Sequence, residues 1–271
     1  PFRWVNPLPA NAPAGVKHAT FESRKNKATA GYCIYLPPDY ETSGRRYPVV
    51  YYLHGGRPGG ETKSIALARH FDQAIRSGEA APMIYVFNNG GAVSHYDYPQ
   101  LDSYGETALI QELIPHIDST YRTIASREAR GIEGFSQGGR GTARLMFKYP
   151  ELFCSAAPMG GGHQHEKHIR DHNGKEDGEP GYLFPPRHNT YDLAAAYAAR
   201  KRDLKILVVV GTKDFNYEAN LDWMKHLDSL AIPYQKIIVA GVPHNAQQVY
   251  GKIGAAAVKF HAGNFRAAAK A

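Results

Sequence analysis

The sequence predicts an α/β fold: a mostly parallel, doubly wound sheet of about eight strands with an antiparallel N-terminal edge. Short β-branched or aromatic runs alternate with amphipathic helical stretches from residue 47 onward, the pattern of successive βαβ units. Two alternating segments, residues 16–23 and 31–36, are joined by the polar turn at 24–27 and so pair antiparallel before that alternation begins. The 271 residues contain no Pro/Ser linker, composition break or internal repeat, so residues 1–271 are read as one domain.

Taken in order, residues 1–15 are proline-rich and expected to run extended over the surface. Pro37 and Pro38 close the second strand. Residues 47–53 form a continuous apolar run, the signature of a central strand covered on both faces. That strand opens into His54-Gly55-Gly56-Arg57-Pro58-Gly59-Gly60, a loop with almost no side chains. A helix over 63–77 aligns Leu67, Phe71, Ala74 and Ile75. The strand at 83–87 leads into Asn88-Asn89-Gly90-Gly91, and 92–104, rich in Tyr and Asp, reads as a loop. A helix over 105–121 aligns Ile110, Leu113, Ile117 and Tyr121, with a kink expected at Pro115.

A strand at 129–135 and a helix over 142–149, stopped by Pro150, come next. After a strand at 152–157, an irregular insertion at about 160–190 lacks any periodicity, and so long a structureless stretch in a compact domain is usually functional. Helices at 191–201 and 216–230 (Leu221, Met224, Leu227), strands at 206–210 and 234–240, and a last helix near 247–260 complete the alternation. Cys33 and Cys154 fall in predicted strands and read as small buried hydrophobes rather than a disulfide.

The formal charge is +7, but Lys and Arg are scattered without a basic helix or stripe, which argues against a nucleic-acid partner. Attraction to an acidic polymer surface is the milder reading. No apolar run is long enough to cross a bilayer, so no membrane partner is expected. The chain begins at Pro1, and the expectation is a removed signal peptide with a secreted or periplasmic location, the cytoplasm being the alternative.

The chemistry gathers at Ile132-Glu133-Gly134-Phe135-Ser136-Gln137-Gly138-Gly139-Arg140-Gly141. This contains Gly-x-Ser-x-Gly, in which Gly134 and Gly138 leave room for a serine on a tight strand-to-helix turn. A serine hydroxyl is a poor nucleophile until a base takes its proton. In such sheets the partners lie beyond the carboxyl ends of the strands. Asp214 follows the strand at 206–210 and His244 follows that at 234–240; the order Ser136, Asp214, His244 is that of the α/β-hydrolase fold. His244 is read as the base and Asp214 as the group that orients it.

The bland readings are a helix N-cap for Asp214 and a surface position for His244, one of thirteen histidines. Asp203 and Asp222 are the fallback acids. The oxyanion needs two aimed N–H groups, assigned to Gln137 at the helix N-terminus and to Gly56, with Arg57 the second choice for the latter. His54 precedes the nucleophile and is read as ordering that loop. Candidate substrate contacts are Arg57, Asn88, Asn89, Tyr104 and His163; Tyr96, Tyr98, Tyr104 and Tyr182 are candidates for stacking on a sugar or phenolic ring, or for ordinary packing. His163, His165, Glu166, His168, Asp171 and His172 match no tight zinc spacing, so no metal is expected and the segment reads as a solvated polar loop placed to roof the pocket.

Leu53-His54-Gly55-Gly56, the stretch Glu112-Leu113-Ile114-Pro115-His116-Ile117-Asp118-Ser119-Thr120-Tyr121-Arg122 and Gly134-Phe135-Ser136-Gln137-Gly138-Gly139 together resemble the putative-esterase group of α/β hydrolases. That group includes the feruloyl and acetylxylan esterases of carbohydrate esterase family one, esterase D and the mycolyltransferases. The likeness runs from about Gly31 to the C-terminus. It implies a serine esterase without cofactor, which removes feruloyl or acetyl groups from an acylated plant-type polysaccharide or oligosaccharide through an acyl-enzyme. Acyl transfer of the mycolyltransferase type and a non-catalytic carbohydrate binder are the alternatives, and the intact Ser136, Asp214 and His244 argue against the binder. The segment from 162 to 189 is longer and more His-rich than in the simplest members and bears on acyl specificity.

Overall fold

In the computed structural model, which describes residues 1–200 and 203–265, β1 (Val16–Ser23) and β2 (Ala28–Tyr35) form the antiparallel hairpin with Val16 opposite Tyr35. A single turn, α1 (Tyr40–Ser43), precedes β3 (Val49–Leu53), in which every residue is buried. A helical turn at Ile65–Leu67 runs into α2 (Ala68–Arg76), which buries Phe71, Ala74 and Ile75. After β4 (Ile84–Asn88), the stretch read as a loop folds into a small hairpin of β5 (Asp97–Tyr98) and β6 (Ser103–Tyr104). The next helix is continuous but not uniform: α3 (Gly105–Thr107), a wide π-helical stretch at Ala108–Leu113, and α4 (Ile114–Thr120). Pro115 accounts for the widening, because it has no N–H to give to the preceding turn and its ring crowds the carbonyl there.

The remaining elements are β7 (Arg130–Phe135), α5 (Gln137–Lys148), β8 (Ser155–Met159), α6 (Thr190–Ala198), β9 (Lys205–Lys213), α7 (Tyr217–Ser229), β10 (Gln235–Pro243), α8 (Ala246–Ile253) and α9 (Ala256–Asn264). Three expectations need correction here, and a fourth falls outside the described residues. The helix after the serine starts at Gln137, five residues earlier than the apolar periodicity indicated, because Gly138, Gly139 and Gly141 hide its first turn from any hydrophobic count. Cys154 lies just before β8 rather than inside it; like Cys33 it is buried with a free thiol. The predicted end of α6 at Lys201 lies outside the described residues. The last predicted helix is two, separated at Gly254, whose φ of 56° an α-helix cannot continue through.

The eight long strands make one sheet in the order β1-β2-β4-β3-β7-β8-β9-β10. β1, β2 and β4 pair antiparallel, and the pairs from β4 through β3 and β7 to β10 are parallel. One apolar layer joins Ile84, Val86 and Ile132 to Ile110, Leu113, Met146, Leu193 and Trp223 on one face. The other joins Tyr52, Tyr85 and Val209 to Phe71, Val249, Tyr250 and Val258. Covering a sheet on both faces makes its strands apolar without alternation, as in β3, and the parallel run of β4, β3 and β7 to β10 puts their carboxyl ends at one rim. A buried polar chain pins α9 to the sheet, with His261 set between Ser155 Oγ at 2.8 Å and Glu133 Oε2 at 3.1 Å. Among the described residues no helix is long and apolar enough to cross a membrane.

The insertion is not a solvated loop. It begins with a helical turn at His163–Glu166, pairs Lys175 with Leu183, and packs Ile169 and Phe184 on Val93, Tyr96 and Tyr98 as a third apolar cluster. His163, Glu166 and Glu176 are buried within it.

Candidate active site

The turn from β7 into α5 holds Ser136 at φ 61° and ψ −119°, a conformation that costs an L-residue energy and persists only where its surroundings enforce it. Two backbone bonds do so: Ser136 N–H donates to Met159 O at 2.9 Å, and Arg140 N–H donates to Ser136 O at 3.0 Å. The flanking glycines are required by close approach. A Cβ on Gly138 would stand 1.9 Å from Leu53 O, and one on Gly134 would stand 2.5 Å from Gly138 O. The serine remains partly exposed at the rim.

His244, just past β10, brings Nε2 to 2.7 Å from Ser136 Oγ. Its Nδ1 lies 2.8 Å from each oxygen of Asp214, just past β9. A carboxylate accepts only, so Nδ1 carries the proton and Nε2 is free to accept from the hydroxyl. Asp214 is buried and takes the Asn216 N–H at 2.7 Å on Oδ1. The fallback acids are committed elsewhere, Asp203 to Lys205 at 2.6 Å and Asp222 to Lys167 at 2.7 Å.

Of the two predicted oxyanion donors, Gln137 directly follows this serine and Gly56 directly follows Gly55, which packs against it. Gln137 is the first residue of α5, where an amide has no acceptor within the helix. Gly55 packs so close that a Cβ on it would lie 3.3 Å from Ser136 Cβ. His54 Nδ1 donates to Gly55 O at 3.1 Å, which turns that carbonyl inward and the Gly56 N–H of the same peptide plane the opposite way. The other face of the ring, Nε2, accepts the Gly90 N–H at 3.2 Å. Burial, helped by the Lys63 charge, pushes His54 down to about 3, so the ring that orders this loop is neutral.

The remaining candidates, Asn88 excepted, have partners within the protein. Arg57 makes a bidentate pair with Glu176 of the insertion, at 2.6 and 3.2 Å, and lies 4.8 Å over the Tyr182 ring. Asn89 Nδ2 donates to Arg3 O, Trp4 O and Glu61 Oε2, fastening the N-terminal segment instead of facing a ligand. Asn88 is buried at the end of β4, with neither side-chain polar atom bonded among the described residues. Tyr104 lies under Lys25 at 4.2 Å, and its backbone N–H and C=O bond to the side-chain amide of Asn26. His163 is stacked on Trp223 at 4.2 Å in the interior. Tyr96 and Tyr98 pack in the cluster beneath the insertion. Of the remaining histidines there, His168 and His172 share the Asp177 carboxylate at 3.0 and 2.9 Å, and His165 Nδ1 contacts Asp177 O.

Two residues near the site escaped the sequence reading. Phe215 is 77% exposed with its ring centroid 4.0 Å from that of His244, and nothing but its place beside Asp214 marks it in the sequence. Glu176 lies in a stretch without periodicity and is buried by partners far away in the chain.

A strand–serine–helix elbow with His and Asp delivered from later strand ends, on a mostly parallel eight-stranded sheet, defines an α/β-hydrolase-fold protein with a Ser–His–Asp hydrogen-bond chain. Within that class, residues 23–256 match the model of the esterase family described as "Putative esterase", and the chain belongs to that family. It is 36% identical over 135 residues to Esterase MT1326 of Mycobacterium tuberculosis (strain CDC 1551 / Oshkosh), a match covering 48% of this chain and 29% of that protein. It is 28% identical over 172 residues to an endo-1,4-beta-xylanase/feruloyl esterase of Xylanibacter ruminicola, covering 58% of this chain and 23% of that protein. The matches thus span less than a third of the curated relatives' length. A solved ferulic acid esterase superposes with a TM-score of 0.77 at 23% identity, over 92% of this chain and 98% of that one, a likeness of fold.

Proposed function

We propose that the protein is a serine carboxylic-ester hydrolase that removes feruloyl or acetyl groups from a plant-type polysaccharide through an acyl-enzyme. The observation that carries the reading is the unbroken chain from Ser136 Oγ to His244 Nε2 at 2.7 Å and from His244 Nδ1 to Asp214 at 2.8 Å. In this mechanism His244 takes the Ser136 proton as Oγ attacks the ester carbonyl. The Gly56 and Gln137 amides hold the oxyanion, and Asp214 stabilises the imidazolium. As the carbon–oxygen bond to the sugar breaks, His244 protonates the departing oxygen, which leaves as the sugar hydroxyl with the acyl group on Ser136. Water, deprotonated by the same imidazole, releases the acid and restores the serine.

The family supports ester chemistry, and the xylanase/feruloyl esterase relative supports an acylated plant polysaccharide as the substrate class. A polymer of that kind is met outside the cell, so the proposal includes a secreted or periplasmic site of action. The test is hydrolysis of para-nitrophenyl acetate by the wild-type chain and by Ser136→Ala, followed by ferulate and acetate release from arabinoxylan. Activity surviving in Ser136→Ala rejects the nucleophile. Failure to release either acid from arabinoxylan while small esters are cleaved rejects the polysaccharide.

A further inference from the structure

The insertion is fastened to the rest of the chain by ion pairs, and one buried anchor, Glu176, meets both segments that carry the proposed oxyanion amides. Glu176 has a side chain only 3% exposed. Its Oε1 accepts from Arg57 Nη1 at 2.6 Å and from the Tyr182 N–H at 3.3 Å. Its Oε2 accepts from Arg57 Nη2 at 3.2 Å and from Arg140 Nη2 at 3.0 Å. Arg57 is the residue after Gly56, and Arg140 stands on the first turn of α5, which starts at Gln137. One carboxylate therefore joins the two segments that carry the two proposed oxyanion amides.

The charges explain why the joint needs an anion. Burial and the Arg57 charge push Arg140 down to about 9, so the two guanidinium groups repel each other across the site. Although burial opposes it, the two arginines hold Glu176 below the usual carboxylate range, so it stays ionised between them. The other nearby carboxyl, Glu166, comes only to 3.9 Å from Arg140 Nε, is bonded instead to the Tyr96 hydroxyl and the Thr190 N–H, and is raised by burial to about 8. The loop is rich in glycine, with glycines at 55, 56, 59 and 60, and Gly56 sits exposed at φ 66°.

We propose that Glu176 is a positioning residue whose bridge between Arg57 and Arg140 sets the spacing of the Gly56 and Gln137 amides. The proposal rests on the esterase reading, and catalysis by aimed dipoles is sensitive to displacements of about 1 Å. The experiment compares wild type, Glu176→Gln, Arg57→Gln and the double variant. It reads steady-state hydrolysis of para-nitrophenyl acetate, thermal unfolding, and hydrogen exchange of the amides at 55–57. Arg57→Gln leaves the Arg140–Glu176 pair intact, so it tests the bridge without stranding a buried charge.

The expected result is a kcat lower by about 10-fold to 100-fold with KM nearly unchanged, as for a displaced oxyanion donor. Exchange at 55–57 quickens in both single variants, and the double variant is no worse than the worse single one, since both cut the same bridge. Unchanged exchange at 55–57, or wild-type kcat in a folded Glu176→Gln, overturns the bridge while leaving the esterase reading intact if Ser136→Ala is inactive. A wild-type chain that cleaves no ester overturns both.

Discussion

Asp214 holds His244 with both carboxylate oxygens, each 2.8 Å from Nδ1, so the ring is fixed in one tautomer and one orientation. Asn216 N–H steadies the acid at 2.7 Å, and its own side chain donates to Gly160 O at 2.9 Å beside β8. Asp214→Asn keeps the shape but offers the ring a donor on one side, which favours the wrong tautomer. The expected loss in kcat on para-nitrophenyl acetate is about 10⁴-fold with thermal stability little altered. A kcat within tenfold of wild type would remove Asp214 from the proposed machinery.

Phe215 stands open to solvent against the same imidazole, 77% exposed with centroids 4.0 Å apart. A ring left in water at a reactive rim offers a platform for the flat part of a substrate. Phe215→Ala is expected to raise KM for methyl ferulate by about 5-fold to 10-fold, the worth of one aromatic contact, and to leave KM for para-nitrophenyl acetate nearly unchanged. Stability should move by no more than about 0.5 kcal/mol, as at other exposed positions. Equal changes for both esters would mean that the ring acts on His244 and not on the acyl group.

The sheet and the Ser–His–Asp chain were legible because each leaves a local trace. Covered strands such as β3 read as unbroken apolar runs, and the elbow demands Gly134 and Gly138 at fixed offsets from Ser136. The insertion leaves none. Its order comes from Arg57 meeting Glu176 across 119 positions and from Phe184 stacking on Tyr96 at 4.0 Å, neither of which produces a period. Asn89 has the same chemistry whether it faces a ligand or the carbonyls of Arg3 and Trp4, so residue type alone could not separate the two. The break between α8 and α9 did have a signal in Gly254, outweighed by the apolar pattern on either side.

Gly138 tests how tightly α5 is held against β3. Gly138→Ala would set a methyl 1.9 Å from Leu53 O, a backbone atom that cannot swing aside. The expected cost is at least the ~1–3 kcal/mol of ordinary core overpacking, with ester hydrolysis lost as the elbow shifts. Gly251→Ala in α8 is the matched control. A Cβ there meets nothing within 4 Å, so the same substitution should stabilise by about 0.5–1 kcal/mol. Urea midpoints for the two variants moving in the same direction would contradict this account of the contact.

Three buried histidines give the fold an acid limit. Burial pushes His54 and His163 down to about 3, the first helped by Lys63 and the second by Arg140, and burial with the neighbouring His54 carries His95 well below its ordinary value. In the unfolded chain each titrates near 6.5. Between about pH 6.5 and pH 3 the unfolded state therefore binds protons that the native state refuses. Stability is fully present above that window and falls as pH drops through it, by up to about 1.4 kcal/mol per pH unit for each ring. His163 isolates one share of the effect: it stacks on Trp223 at 4.2 Å and 15°, and neither nitrogen has a hydrogen-bond partner among the described residues. His163→Phe retains a ring on Trp223 and removes the proton site. Its unfolding free energy, measured in urea from pH 7 to pH 4.5, is expected to decline less steeply than wild type by about one proton's worth. Parallel slopes for the two chains would show that His163 is protonated, or not buried, in the native state.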